Sequence, residues 1–290
     1  LLPLATLLEN VGGIHAALRS NASCIIPSLH TTGMSYSGLD PRKLIAAITA
    51  HEPSSLILVP ELLRVLVMAA QQGWQPPASL RFIAVGGASV APELLASAAQ
   101  LGLPVYEGYG LSECGSVVCV NTASANRRGS VGRPLPHIRV RLDGQQQIMV
   151  SGPLMSGYLG DTAWPEAAAS EIATGDLGEI DADGFVYVRG RLKHLIITSL
   201  GRNISPEWVE RELQMEPATS VAVVFGEARP WLSALISPAG TATSTEISAA
   251  VARVNARLPD YAQLRKWAAV TTPFTFANGL LTANGRPRRN

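Results

Sequence analysis

Charge is scarce in this 290-residue chain: only 16% of the residues are charged, and the formal net charge is +1. So even a balance leaves no electrostatic footprint for nucleic acid or for an anionic membrane surface. Arg286, Arg288 and Arg289 form the densest basic cluster, but a short terminal cluster reads as a solvated tail. Cysteine is scarce as well. Cys24, Cys114 and Cys119 are odd in number and lack CxxC spacing, which argues against a disulfide framework and fits reduced thiols in a cytoplasmic protein. No apolar run reaches the ~20 residues of a membrane span, and no secretory signal pattern is visible. His15, His51 and His137 stand alone, without a partner at metal or triad spacing. Trp164, Trp208, Trp231 and Trp267 are scattered and read as packing. The chain has only three lysines, Lys43, Lys193 and Lys266, beside twenty arginines.

Hydrophobic residues, at 47%, are plentiful, and the length exceeds the usual size of one domain. Residues 22–105 alternate between short β-rich runs and helical stretches. The runs are Ser23–Ile26, Leu56–Val59, Leu80–Val85 and Pro104–Tyr106. Asp40 can cap a helix opened by Pro41, Pro60 with Glu61 opens another, and Leu62, Val65, Leu66 and Ala69 recur at helical spacing. Such alternation predicts a parallel sheet covered by helices. Near Asn126 the pattern changes. Ile138, Val140 and Leu142 alternate with arginines, and Asp143-Gly144 and Asp183-Gly184 supply hairpin turns. After Arg191 come a strand, a helix capped by Ser205 with Pro206 in its first turn, two strands and a helix striped by Ile247, Val251, Val254 and Leu258. The expected fold class is therefore α/β with three parts. These are a parallel sheet with flanking helices over 1–125, a small antiparallel β-barrel-like segment over 126–191, and a separate α+β domain over 192–290. The chain opens Leu1-Leu2-Pro3 without an initiator Met, inside what reads as a strand, so it is expected to be cut from something longer.

The densest chemical signal is Tyr106-Glu107-Gly108-Tyr109-Gly110-Leu111-Ser112-Glu113, placed after a strand at the carboxyl edge of the sheet. Glycines there let backbone approach a ligand. Tyr109 offers a flat face for a base, Ser112 a hydroxyl for phosphate, and Glu113 a hard oxygen for Mg²⁺. A Gly-rich turn after a strand accounts for this segment equally well on its own. A second segment, Thr174-Gly175-Asp176, is followed by Gly190-Arg191-Leu192-Lys193. A carboxylate can accept hydrogen bonds from vicinal ribose hydroxyls, and a nearby arginine can donate to the same ribose.

The pairing resembles the adenylate-forming superfamily of acyl-CoA synthetases, adenylation domains of nonribosomal synthetases, and luciferases. Four further stretches match in order: Gly86-Gly87-Ala88, Gly129 to Pro134, Gly157-Tyr158 and Gly201 to Glu207. The resemblance implies that Gly86, Gly87 and Ala88 line adenine and the head of the acyl pocket. Tyr109 stacks on adenine beside Gly110, Ser112 touches phosphate, Glu113 holds Mg²⁺, and Asp176 with Arg191 holds ribose. Lys193 falls at the hinge of a mobile carboxy-terminal domain, and Gly201 lines the thiol acceptor's channel. ATP, a carboxylic acid and coenzyme A are the implied substrates, or a carrier-protein phosphopantetheine in place of coenzyme A. Phe274 to Thr282 and Gly201 to Glu210 look like long-chain fatty acyl-CoA synthetases.

Three departures stand out. The phosphate-binding loop that family members carry upstream is absent, so the chain alone is expected to be inactive. Thr6 replaces a histidine. Arg286 takes the place of the catalytic lysine in the terminal loop, keeping its charge in a planar, forked shape. Two other readings stay open: an acyl-AMP ligase that loads a carrier protein, and a non-catalytic nucleotide-binding homologue.

Overall fold

A computed structural model describes residues 6–35, 38–158, 170–275, 277–282 and 287–289. The chain divides into two compact units, Leu1–Val188 and Arg189–Asn290.

The first unit begins with a helical stretch over 7–19 that contains a π-helical turn, Asn10–His15. Three helices then alternate with three strands. Helix α1 (Pro41–His51) starts as expected, with the Asp40 side chain accepting from the Arg42 amide at 3.0 Å and Pro41 in the first turn. Strand β1 (Ser55–Leu58) follows, then α2 (Pro60–Gln71), β2 (Phe82–Val85), α3 (Pro92–Gln100) and β3 (Val105–Tyr109). The buried face of α2 is Leu62, Leu63, Leu66 and Val67, so it is turned one position from the stripe that Val65 and Ala69 would give. Leu63 and Leu66 are wholly buried, and each such leucine stabilises the fold by about 1.5–3 kcal/mol.

β1, β2 and β3 pair in parallel in that order. Two short strands, β4 (Cys119–Val120) and β5 (Arg133–Pro134), extend the sheet antiparallel, so the sheet is mixed rather than purely parallel. Ser23–Ile26 does not form a strand. Its β-branched residues have the propensity, but it joins no ladder among the described residues, and Ile25 and Ile26 are exposed. β3 runs further than expected, because Gly108 and Tyr109 pair with Val120 and Cys119. The Tyr-Glu-Gly-Tyr residues therefore lie in the strand, and only Gly110 onward lies beyond it.

A four-stranded antiparallel sheet follows: β6 (Arg139–Leu142), β7 (Gln147–Ser151), β8 (Ile172–Ile180) and β9 (Val186–Arg191), in sequence order. Both expected hairpins form. In the first, the left-handed residue is Gln146 (φ 62°) rather than Gly144, and the Asp143 carboxylate accepts the Gln145 and Gln147 amides. Ile148, Val150 and Val186 pack with Cys114, Val118 and Cys119, which joins the two sheets through one core.

In the second unit, β10 (Ile196–Ile197) pairs with β11 (Asn203–Ile204). Helix α4 (Pro206–Gln214) begins at Ser205, whose hydroxyl does not cap it and instead donates to Glu207 at 2.9 Å. β12 (Thr219–Phe225) and β13 (Leu232–Pro238) form a hairpin. Helix α5 (Ser244–Arg257) opens with a capping box of Thr243 and Glu246. β14 (Leu264–Ala269) then adds parallel to β13. Val209 and Leu213 of α4 and Ile247, Val251 and Val254 of α5 close over Val224 and Ile236 of the sheet.

Candidate nucleotide site

The first group of expected site residues sits at the carboxyl ends of neighbouring strands. Gly86, Gly87 and Ala88 leave β2, and a Cβ on Gly86 would stand 3.0 Å from the Gly108 carbonyl oxygen of β3. Gly110 has no room for a side chain: a Cβ there would lie 1.6 Å from the Ser116 carbonyl oxygen. Glycine lets the chain fold back into the 3₁₀ turn Ser112–Cys114, which leaves Ser112 exposed and Glu113 half-buried. The Glu113 carboxylate accepts the Tyr158 hydroxyl at 2.6 Å, and its backbone carbonyl accepts the Met155 amide at 2.8 Å. Cys114 and Cys119 are buried beside it, and burial pushes their thiols up to about 11 and about 12, with Glu113 adding to the first.

Asp176 reaches this region from β8 through a deformation of the strand. Ala173 pairs with Met149 and Leu177 with Gln147, so Thr174, Gly175 and Asp176 oppose Ile148 alone. Such a bulge re-aims a side chain. Gly175 takes the left-handed conformation the bulge needs, at φ +75°. Side chains pin the bulge at several points. Thr174 donates its hydroxyl to the Ile148 carbonyl at 2.9 Å, the Gly175 amide donates to Gln147 Oε1 at 3.0 Å, and the Asp176 amide donates to Thr174 Oγ1 at 3.1 Å. Asp176 is only 5% exposed, and its carboxylate accepts the Tyr109 hydroxyl at 2.6 Å. Tyr109 packs its ring against the shared core.

Sequence reasoning missed Asn121, which is 1% exposed. Its amide nitrogen donates to the carbonyls of Glu107, at 3.3 Å, and Ser130, at 2.7 Å, and its oxygen accepts the Arg127 amide at 2.9 Å. It thereby ties the 127–132 segment to the strand bearing the Tyr-Glu-Gly-Tyr residues. The Gly157-Tyr158 motif carries no sign of the Glu113 carboxylate to which the Tyr158 hydroxyl donates. A buried asparagine whose partners are backbone groups leaves no spacing signal.

The remaining expected residues belong to the second unit. Arg191 ends β9 and is half-buried; Lys193 is exposed in the 3₁₀ turn Leu192–His194. Beside it, His194 Nδ1 lies 2.6 Å from Glu207, the carboxylate that also accepts Ser205. Gly201 is exposed in the loop between β10 and β11, and its amide donates to the Thr198 carbonyl at 2.9 Å. Thr6, in the first unit, precedes the first helix, where its carbonyl accepts the Asn10 amide at 3.0 Å. Arg286 and the Leu2-Pro3-Leu4-Ala5 stretch lie outside the described residues.

A mixed sheet whose parallel strands carry Tyr-Gly-Leu-Ser-Glu at their carboxyl edge, an antiparallel sheet that brings an aspartate to that edge, and a following α+β unit define an adenylate-forming enzyme fold. The AMP-binding enzyme family model matches residues 1–159, and the AMP-binding enzyme C-terminal domain model matches residues 193–289. The chain belongs to the AMP-binding enzyme family. It is 32% identical over 231 residues to the long-chain-fatty-acid–CoA ligase FadD15 of Mycobacterium bovis, an alignment covering 70% of this chain and 38% of the relative. It is also 32% identical over 243 residues to the 2-succinylbenzoate–CoA ligase of Bacillus subtilis, covering 79% of this chain and 48% of the relative. The chain thus spans well under two thirds of the relatives it matches. Among solved structures, the anthranilate CoA ligase AuaEII in complex with anthranoyl-AMP has the same fold. Its TM-score is 0.78 at 18% identity, over 98% of this chain and 56% of that one. No described helix is long and apolar enough to cross a membrane.

Proposed function

We propose that the protein carrying this chain is an acid–thiol ligase that activates a carboxylic acid with ATP and passes the acyl group to coenzyme A. The observation that carries this reading is the 2.6 Å hydrogen bond between Tyr109 and Asp176, residues 67 apart in sequence. The family resemblance assigns one to the base and the other to the ribose of a single nucleoside, and the fold puts them side by side.

A carboxylate is a poor acyl donor because its leaving group would be oxide. Attack on the α-phosphate of ATP expels pyrophosphate and leaves an acyl-adenylate, from which a thiol then displaces AMP. The first step brings anion to anion, so positioning and charge neutralisation dominate. In this reading Gly86, Gly87 and Ala88 flank the base, Tyr109 stacks on it beside Gly110, Asp176 and Arg191 hold the ribose, and Ser112 contacts phosphate. Glu113 fits Mg²⁺: it is a half-exposed hard oxygen donor, and Mg²⁺ is usually held by one or two carboxylates together with substrate phosphates and water. The ion would supply charge neutralisation at the phosphates. The second unit would act as a mobile domain turning about Lys193, bringing Arg286 to the site for adenylation and Gly201 for thiolation. The acid is proposed to be fatty, on the likeness of Phe274 to Thr282 and Gly201 to Glu210 to long-chain enzymes.

Calorimetric titration with AMP tests the nucleotide roles. Asp176→Ala should weaken AMP binding by about 3 kcal/mol, on the order of 100-fold, for two lost hydrogen bonds to a charged acceptor. Glu113→Gln should leave AMP binding nearly unchanged and raise the Mg²⁺ concentration needed to bind ATP. Equal effects of both changes on AMP would contradict the assignment.

A further inference from the structure

The nucleotide reading leaves the Tyr109 hydroxyl without a task, because stacking needs only the ring. We infer that this hydroxyl is a positioning group that makes the site selective for a ribose bearing its 2′ and 3′ hydroxyls, acting through Asp176; the inference rests on the nucleotide reading above.

Three observations converge on it. First, Asp176 is buried, so its carboxylate has few water partners and is held by what the protein offers it. An O–H···O⁻ bond of 2.6 Å lies in the short, charge-assisted range, and it fixes the carboxylate's rotation about its last bond. Second, the backbone under Asp176 is locked. The bulge at Thr174 to Asp176 is secured by the Thr174 hydroxyl, the Gln147 amide oxygen and a left-handed Gly175, so the carboxylate's remaining freedom is its side-chain torsions. Third, Tyr109 is itself immobile: it ends β3, pairs with Cys119, and packs its ring on the core of Cys114, Val118 and Ile148. A rigid donor on a rigid ring thus meets an acceptor on a rigid bulge. A phenylalanine would keep stacking and packing alike, yet remove the hydroxyl's restraint on the direction of the carboxylate. Preorganised acceptors discriminate strongly against ligands lacking the matching hydroxyls, whereas a loosely held acceptor does so weakly.

The test compares AMP with 2′,3′-dideoxy-AMP, titrated into the chain and into Tyr109→Phe, with melting temperatures checking that both are folded. The chain should prefer AMP, and Tyr109→Phe should cut that preference by about tenfold, almost wholly through weaker AMP binding. Tyr109→Phe added to Asp176→Ala should cost nothing further. Equal weakening of both nucleotides in Tyr109→Phe would mean the residue acts by packing alone and would overturn the inference, as would an unchanged preference. Failure of the unsubstituted chain to bind AMP, or to prefer it, would overturn the nucleotide reading itself and the inference with it.

Discussion

At the scale of single residues, the two carboxylates proposed to handle the nucleotide are each met by a tyrosine hydroxyl, Asp176 by Tyr109 and Glu113 by Tyr158. The sequence alone puts forward the carboxylates, Tyr109 and Ser112, because they fall in short motifs whose order along the chain is distinctive. It does not mark their partners. Tyr158 lies 45 residues from Glu113, and nothing in either segment marks the contact. Cysteine behaviour follows from burial in the same way. Cys114 and Cys119 sit in the shared core with their thiols pushed up to about 11 and about 12, whereas Cys24 is exposed. Only the thiolate reacts with disulfide reagents, so the folded chain at pH 8 should titrate one rapid thiol, and all three after denaturation. Removing Cys24 should abolish the rapid phase. Rapid labelling of two or three would show that the core around Glu113 opens readily.

At the scale of elements, legibility depended on whether a segment carries its own signal. Asp40-Pro41 and Pro60-Glu61 announce helices locally, and the hairpin at Asp183-Gly184 announces itself by its turn. Ser23–Ile26 was misread because strand propensity is realised only beside a neighbour. Leu264–Ala269 went unnoticed because Arg265 and Lys266 interrupt its apolar run, and its place is fixed by the distant strand β13. The bulge at Gly175 is likewise visible only once β7 and β8 are paired. The open edge of β12 shows how an element is finished by side chains. Val224 turns its amide and carbonyl outward, where Glu210 accepts the first at 2.6 Å and Arg289 donates to the second at 3.2 Å. Glu210 and Arg289 are also paired with each other, so the two side chains stand in for a missing strand. Burial raises the Glu210 pKa above its ordinary 4.5, more than Arg289 lowers it. The folded state then holds the proton to higher pH than the unfolded state does. The contribution of Glu210 is fullest below pH 4.5 and is lost as pH rises through the folded value. The stability of the chain relative to Glu210→Gln, from urea unfolding, should therefore fall as pH rises across that window and level off above it. Arg289→Ala should cost about 3 kcal/mol at neutral pH by leaving a buried charge unpaired. A stability difference that rises with pH would contradict this balance.

At the scale of the whole molecule, the two units each close their own core, and the two family models match residues on either side of Val188–Arg189, where the units meet in sequence. The fold class was legible because strand–helix alternation, paired hairpins and a final helix–sheet segment each leave a distinct periodicity. Substrate identity was far less so, since the walls of an acyl pocket come from positions scattered along a chain. Arg286 concentrates what is at stake: the family resemblance sets it against a lysine, and the proposal needs its charge to sustain adenylation. The most direct measurement is pyrophosphate release by the full-length protein with ATP and Mg²⁺, run against fatty acids and 2-succinylbenzoate, with and without coenzyme A. Release should depend on a fatty acid, a matching acyl-CoA should appear once coenzyme A is supplied, and Asp176→Ala should lose both. Tight AMP binding with no acid-dependent pyrophosphate release from any acid would contradict the proposal.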